Sequence, residues 1–214
     1  MITVDRVGFR YAGVPVLHDV TLRVEAAAML AVTGANGTGK STLLHLLAGV
    51  EQPAEGRIRR RTGCRVALLP QRTGDIDALP LTVAECVRIG RFTPGRLLHR
   101  LTRHDRAAVA EVMARLGLAD LARRRLRELS GGQRQRTLVA QAFAQDADVY
   151  VLDEPTANLD AASRARVHDL ITSRVQAGAA VVVASHDDAE AALADHTLHL
   201  RATGSSGTGP AAAV

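Results

Sequence analysis

One segment of the chain has the residue types and spacing that proteins use to bind phosphate groups. Residues Gly34 to Ser41 read GANGTGKS and fit the pattern GxxxxGK[ST] at every fixed position, directly after the apolar run Leu30 to Val32. Glycines permit the backbone conformations in which consecutive N–H groups surround phosphate oxygens, and the start of a following helix adds partial positive charge. In this pattern Lys40 contacts the β- and γ-phosphates and the Ser41 hydroxyl ligates Mg²⁺. The residues expected to bind the nucleotide are Gly34, Asn36, Gly37, Gly39, Lys40, Ser41 and Thr42.

Two adjacent carboxylates provide a second magnesium anchor and a candidate base. Asp153 and Glu154 come directly after Val149 to Leu152, a continuous apolar run typical of a buried strand. We expect Asp153 to hold Mg²⁺ through its water shell and Glu154 to polarise a water molecule for attack on the γ-phosphorus. The reaction class predicted from these residues is the hydrolysis of a nucleoside triphosphate.

A second candidate phosphate-binding surface lies much further along the chain. Ser130 and Gln133 have the spacing of a capping box at the start of a helical run that extends to Ala144. Gly131 and Gly132 would leave backbone N–H groups of this helix start bare for an anion. One γ-phosphate hardly needs two such surfaces from one subunit, so we expect each surface to complete the site of another copy. An ordinary well-capped helix is the alternative interpretation.

The motifs occur in the order found in the ATP-binding subunits of ABC transporters, which the chain resembles from Ile2 to about Leu200. Three further assignments depend on this resemblance. Tyr11 is similar to the aromatic residue that stacks on adenine, Gln71 to the glutamine between sheet and helical insertion, and His186 to the histidine after the last core strand. The resemblance implies ATP and Mg²⁺ as cofactors. It implies catalytic roles for Glu154, His186, Gln71 and Lys40, and Mg²⁺ contacts for Ser41, Gln71 and Asp153.

By the same resemblance, two copies form a homodimer or pseudo-dimer that encloses two ATP molecules. Each ATP would lie between Gly34 to Ser41 of one copy and Ser130 to Gln133 of the other. Asp160 matches the family in the loop that crosses this interface, whereas Asn158 departs from the more common Ser-Ala-Leu-Asp sequence. Ala27 to Met29 stands where family members usually have Pro-Gly-Glu.

The elements that must position these residues are predicted from the apolar periodicity. Ile2 to Phe9 and Thr21 to Val24 alternate like half-buried strands, and Val181 to Ala184 is a continuous apolar run typical of a strand covered on both faces. Helical patterns follow the apolar runs, which indicates an α/β fold with a mostly parallel sheet. The predicted helices are Lys40 to Ala48, Asp105 to Leu116, Gly131 to Ala144, Ala161 to Gln176 and Asp188 to Ala194.

We therefore expect a P-loop NTPase core, a mostly parallel sheet with an antiparallel β subdomain, and an inserted helical subdomain. The ABC ATPase domain is predicted at residues 1–203, with the helical insertion at about 82–145. The tail at 204–214, GSSGTGPAAAV, is low in complexity, and we expect it to be disordered.

Composition limits the class of protein. The chain has 214 residues, 47% hydrophobic and 23% charged, which is typical of a globular domain. Its apolar stretches are shorter than the ~20 residues of a membrane-spanning helix, and the start of the sequence has no leader pattern, so we expect a soluble, cytosolic chain. The net charge is +5, and Lys40 is the one lysine.

The basic residues are concentrated in the predicted helical insertion. Thirteen arginines and four acidic residues lie between Arg88 and Arg136, which would also suit a soluble ABC ATPase acting on nucleic acid. Translation-associated members of the superfamily carry two cassettes on one chain, and chromosome-associated members carry a long coiled coil. The sequence has neither feature, so we expect no nucleic-acid partner.

The cargo is predicted from the segments expected to contact a membrane partner. Pro70 to Arg72, Leu79 to Val83 and Gly90-Arg91 resemble the PQR…FPxTVxxxVxxGR pattern of zinc and manganese importer ATPases, with Leu79 replacing Phe. An iron-siderophore importer, an exporter, and a cytosolic ATPase of cofactor assembly remain alternatives. The expected partners are integral membrane permease subunits and, for an importer, a solute-binding protein. The expected location is the cytoplasmic face of the plasma membrane, as a peripheral subunit.

Overall fold

The strands form two sheets in a computed structural model that describes residues 1–71, 79–92, 101–185 and 188–201. The chain divides into two compact units, which we call the sheet unit and the helical unit. The sheet unit contains Met1–Gln71, Ala147–Glu154 and Arg174–Val214, and the helical unit contains Arg72–Asp146 and Pro155–Ser173. The strands are β1 (Ile2–Tyr11), β2 (Val14–Val24), β3 (Met29–Thr33), β4 (Glu55–Arg60), β5 (Val66–Leu69), β6 (Val149–Asp153), β7 (Ala180–Ala184) and β8 (His196–His199). The helices are α1 (Lys40–Ala48), α2 (Val83–Ile89), α3 (Arg103–Arg115), α4 (Gly131–Ala144), α5 (Ala161–Gln176) and α6 (Asp188–Ala191).

A parallel sheet forms the centre of the sheet unit. Its strand order is β5-β6-β7-β3-β8, and all neighbouring pairs are parallel. Every residue of β6 and β7 is buried, as the continuous apolar runs predict for strands covered on both faces. Since the carboxyl ends of parallel strands meet at one edge, the segments that follow β3, β5 and β6 share that edge. Those segments carry the predicted phosphate loop, Gln71 and Glu154, and Asp153 is the last residue of β6 at the same edge.

A three-stranded antiparallel sheet, of order β2-β1-β4, completes the sheet unit. Strand β1 alternates between buried and exposed side chains at Ile2, Thr3 and Val4, as predicted, but the predicted alternation is wrong for Val7 to Phe9, which are all buried. The register of β1 against β2 shifts after Val4, and this irregularity ends the alternation. The buried apolar residues of β1 join one core with the leucines of α1. Strand β2 begins at Val14, well before the predicted Thr21. Strand β4 has only Ile58 partly buried, and it forms by pairing with β1, for example Thr3 with Arg59.

Three helices of the helical unit, α2, α3 and α4, begin at capping boxes. Thr82, Thr102 and Ser130 each accept a hydrogen bond from the backbone N–H three residues on, and the side chain at that position accepts one in return. Helix α3 therefore starts two residues before the predicted Asp105, which is its third residue. The bounds of α1, α4 and α5 agree with the prediction, whereas α6 ends at Ala191 rather than at Ala194.

Some of the predictions fall where the structure gives no description. Arg72, His186 and the tail at 204–214 lie outside the described residues. Within the described ranges, none of the helices has both the length and the apolar character needed to cross a bilayer.

Candidate nucleotide site

The phosphate loop is shaped by glycines that no other residue could replace without strain. Gly39 precedes the first residue of α1 with a φ of 94°, and no side chain caps that helix start. A Cβ on Gly39 would come within 2.7 Å of the Leu17 side chain, so β2 packs directly against the loop. A Cβ on Gly34, whose φ is 142°, would overlap the Leu200 carbonyl oxygen. The helix start thus offers backbone N–H groups that no side chain of its own caps, as an anion site requires.

Lys40 is buried and lies along this loop. Its ammonium Nζ donates hydrogen bonds to the carbonyl oxygens of Gly34, at 2.7 Å, and Ala35, at 3.1 Å. The Thr38 hydroxyl donates to the same Ala35 carbonyl at 2.9 Å. The loop therefore holds a buried positive charge at its centre, where a triphosphate would offer stronger, charged acceptors.

Ser41 and Asp153 meet as a magnesium site requires. The Ser41 hydroxyl forms a hydrogen bond with the Asp153 carboxylate. The second carboxylate oxygen, Oδ2, is buried and has no hydrogen-bond partner among the described residues. Burial raises the pKa of Asp153 above its usual range, the hydrogen bond from Ser41 opposes this rise, and the negative charge of Glu154 adds to it. A divalent cation would satisfy the unpartnered oxygen and compensate both charges, so these oxygen donors fit Mg²⁺.

Glu154 takes an uncommon backbone conformation directly after β6. Its φ is 49°, in the left-handed region, and its N–H donates to the Ala184 carbonyl of β7 at 2.9 Å. Because a left-handed conformation costs a non-glycine residue about 1–2 kcal/mol, the surrounding sheet must impose it. The strand ends therefore fix the backbone of Glu154 next to Asp153.

The residues assigned by family resemblance lie at the margins of the sheet unit. Tyr11 ends β1 with 47% of its surface exposed, and its ring makes an edge contact with Phe9, with centroids 4.8 Å apart. It pairs with Val14 across the hairpin whose second strand packs on the phosphate loop. Gln71 is exposed two residues after β5, at the same sheet edge as Asp153. An exposed aromatic ring is suited to stacking, but neither residue contacts the phosphate-loop residues through a hydrogen bond that the structure records.

In the helical unit, Ser130 and Gln133 form the predicted capping box. The Ser130 hydroxyl accepts from the Gln133 N–H at 3.3 Å, and the Gln133 side-chain oxygen accepts from the Ser130 N–H at 3.1 Å. Gly131 is exposed and has open space where a Cβ would be, whereas a Cβ on Gly132 would lie 3.4 Å from the Asn158 carbonyl oxygen. The start of α4 is therefore well capped and still has one open glycine face.

Asp160 and Asn158 have structural explanations in the same unit. The Asp160 carboxylate accepts a hydrogen bond from the Ser163 N–H at 2.7 Å, which caps the start of α5 and lowers the pKa of Asp160. Asn158 has a φ of 60°, a conformation that asparagine tolerates better than most residues. The departure from the usual family sequence thus agrees with the local backbone.

Comparisons with known proteins identify the family. The sequence profile described as "ABC transporter" matches residues 17–157. The chain belongs to the ABC transporter family. It is similar to the zinc transport system ATP-binding protein AdcC of Streptococcus pneumoniae, with 35% identity over 93% of this chain and 89% of the relative. It is also similar to the manganese transport system ATP-binding protein MntB of Bacillus subtilis, with 34% identity over 87% of this chain and 77% of the relative.

Solved structures support the same conclusion for the fold. A chain of an ABC transporter in an inward-facing conformation matches with a TM-score of 0.81 and 32% identity, over 94% of this chain and 79% of that chain. The dimeric cassette MJ0796 matches with a TM-score of 0.80 and 23% identity, over 94% of each chain. The predicted P-loop core with parallel and antiparallel sheets is confirmed, and the chain is an ATPase subunit of the ABC transporter family.

One contact of this ABC ATPase had no signal in its sequence. Arg60 of β4 donates from Nε to the Leu47 carbonyl at 3.2 Å and from Nη2 to the Leu46 carbonyl at 2.7 Å. These carbonyls belong to the last turn of α1, where a positive charge is favourable. The helix that starts at the phosphate loop is therefore fixed at its far end by the antiparallel sheet. Only the non-local pairing of β4 with β1 places Arg60 there, so no local pattern could have indicated it.

Proposed function

We propose that this ABC ATPase powers an importer of zinc or manganese ions. The observation that carries the proposal is the set of relatives named for zinc or manganese transport, which are 30–39% identical over most of their own length and most of this chain. The segments Leu79 to Val83 and Gly90-Arg91, which resemble the pattern of these ATPases, support the same cargo class. The ATPase subunit itself need not touch the metal ion, which is the cargo of the assembled transporter.

In the proposed mechanism, the phosphate loop binds the triphosphate of ATP. Lys40 exchanges its two carbonyl partners for β- and γ-phosphate oxygens, and the backbone N–H groups at the start of α1 surround the same phosphates. The exposed ring of Tyr11 stacks on adenine, which is worth about 1–3 kcal/mol for a base on an aromatic ring. Binding therefore needs little rearrangement of the sheet unit, because the loop is preformed.

Ser41 and Asp153 would hold the Mg²⁺ ion, with Gln71 as a further contact. Bound there, Mg²⁺ supplies positive charge that neutralises the phosphate oxygens during transfer. Glu154 accepts a proton from the attacking water, and its constrained backbone fixes the point from which its side chain extends. His186, placed by resemblance, contacts the γ-phosphate.

The ATPase is proposed to work as a pair of copies. Ser130 to Gln133 of one copy would cover the γ-phosphate bound to Gly34 to Ser41 of the other. Hydrolysis and phosphate release then remove the charge that both surfaces share, so the copies separate. This motion would be passed to permease subunits, with the ATPase peripheral at the cytoplasmic face of the membrane and a solute-binding protein delivering the metal ion.

The cargo is tested by deleting the gene and measuring growth and cellular metal content in metal-depleted medium. We expect the deletion strain to lose zinc or manganese and to recover when that metal is added. A plasmid carrying the wild-type gene should restore uptake, and a matched plasmid carrying Glu154→Gln should not. Recovery with iron alone, or unchanged zinc and manganese content, would refute the proposed cargo.

A further inference from the structure

The positively charged group that binds the C-terminal end of helix α4 comes from a residue outside the helix. The last carbonyls of a helix have no donors within it, and α4 has no basic residue in its own last turn. Arg91, two residues after the end of α2, donates from Nη1 to the Ala144 carbonyl at 2.9 Å. The last residue of the helix that begins with the signature segment is thus bound by a guanidinium from another element.

The guanidinium of Arg91 is itself held in place. Its Nε and Nη2 both contact Oδ1 of Asp105, at 2.8 and 2.7 Å, and the two side chains are only 12% and 19% exposed. Oδ2 of Asp105 accepts from the Thr102 N–H at 2.9 Å and from the Thr102 hydroxyl at 2.6 Å. Those bonds, and then the bond from Arg91, hold the pKa of Asp105 well below its usual range, so this carboxylate stays charged.

Gly90 brings the end of α2 against the same turn of α4. A Cβ at this position would overlap the Gln141 carbonyl oxygen and lie 3.2 Å from the Ala144 side chain. Gly90 has an ordinary helical φ of −59°, so close approach, and not backbone conformation, requires glycine here. The pair Gly90-Arg91 therefore joins the ends of α2 and α4 to the start of α3.

We infer that Arg91, oriented by Asp105, is a positioning residue that sets the direction of α4. Through α4 it places the signature segment, Ser130 to Gln133, against the nucleotide bound to a second copy. The inference depends on the proposed function, since the signature segment acts only in a pair. With 14 residues, α4 is roughly 21 Å long, so a tilt of about 5° at its far end displaces its start by roughly 2 Å. A displacement of about 1 Å can lower a rate 10²-fold in a preorganised site.

The test measures two properties that the inference separates. Nucleotide binding to the single copy uses the sheet unit, whereas pairing uses α4. In a Glu154→Gln background, fluorescent ATP binding gives the first property, and light scattering with Mg²⁺ and ATP over a range of protein concentrations gives the second. We expect Arg91→Ala to keep nucleotide affinity within twofold and to need at least tenfold more protein to pair, with a tenfold or greater loss of ATP turnover when Glu154 is present.

Arg103→Ala is the matched control, because Arg103 is exposed in the first turn of α3; it should pair like the parent protein. A lysine at position 91 can reach only one of the two acceptors, the Asp105 carboxylate or the Ala144 carbonyl, so Arg91→Lys should pair better than Arg91→Ala but less well than the parent. If Arg91→Ala does not fold, Arg91→Lys tests the inference instead. Pairing within twofold of the parent, or a parallel loss of nucleotide affinity, overturns the role of Arg91. If the Glu154→Gln parent itself does not pair with ATP, the two-copy mechanism is wrong and the inference falls with it.

Discussion

Replacing Asp153 by Asn should stabilise the nucleotide-free protein and remove most of the stabilisation that magnesium nucleotide provides. The carboxylate is buried, next to Glu154, and its Oδ2 has no partner among the described residues. A buried polar group without a partner costs about 1–3 kcal/mol, and more when it is charged. Removing the charge should therefore raise the free energy of unfolding by about 1 kcal/mol, which corresponds to a rise in Tm of about 2–4 °C at this chain length.

With magnesium nucleotide bound, wild type should be more stable than Asp153→Asn. At a concentration of 100 Kd, a ligand stabilises the wild-type protein by about 2.7 kcal/mol. The amide cannot replace an anionic magnesium ligand, so most of this gain should be lost in Asp153→Asn. The measurement is thermal unfolding with and without Mg²⁺ and a non-hydrolysable ATP analogue. Asp169→Asn, an exposed change on α5, is the control and should stay within about 0.5 kcal/mol of wild type in both conditions.

The pH dependence provides a second check on the same carboxylate. Burial raises the folded-state pKa of Asp153 above its unfolded value, so the folded protein binds this proton more readily. The cost of the charge is fully present above the folded pKa and disappears as pH falls toward the unfolded value of about 3.9. The stability difference between Asp153→Asn and wild type should therefore shrink on acidification. A nucleotide-free variant that is less stable than wild type at neutral pH would refute this account of Asp153.

Three further predictions concern the base, the pairing surface and one turn. Glu154→Gln should keep ATP affinity within about twofold but lower turnover by on the order of 10² or more, because only water activation is lost; near wild-type phosphate release would exclude Glu154 as the base. Ser130→Arg should abolish hydrolysis while the single copy still binds nucleotide in a fluorescence titration; full activity of an isolated single copy would contradict pairing. Ala27→Gly should raise the free energy of unfolding by about 0.5–1 kcal/mol, because Ala27 has a φ of 53°, which glycine adopts without strain. Ala110→Gly, on an exposed face of α3, is the control and should lower the free energy of unfolding by about the same amount. Denaturant unfolding of both variants checks that the two changes in free energy have opposite signs.

Local signals explain which elements were predictable. The bounds of α1, α4 and α5 followed from glycines, capping residues and helical periodicity, all of which act within a few residues. Strand β4, with the sequence EGRIRR, has a single partly buried apolar side chain, and β8 is equally short of apolar residues. These strands form because β1 and β3 offer open edges, and an edge supplied by a distant segment leaves no mark in the local pattern.

In the candidate site, too, some features follow from the sequence and others depend on contacts between distant segments. The proximity of Ser41 to Asp153 follows from the rule that parallel strands end at one edge of the sheet. The left-handed backbone of Glu154, the unpartnered oxygen of Asp153 and the contacts of Arg91 with Asp105 and Ala144 arise from packing between distant segments. Roles taken from family resemblance, such as the adenine contact of Tyr11 and the pairing surface at Ser130, remain predictions because they require bound nucleotide or a second copy.

The single lysine offers a way to label the phosphate loop selectively. Besides the amino terminus, whose ammonium is bonded to the Val24 carbonyl at 2.7 Å, Lys40 is the one primary amine in the chain. Lys40 is therefore the one side-chain target of an amine-selective acylating reagent in this sequence, without mutagenesis. Protection of the Lys40 amine against such a reagent would report nucleotide occupancy of the loop directly in the purified subunit.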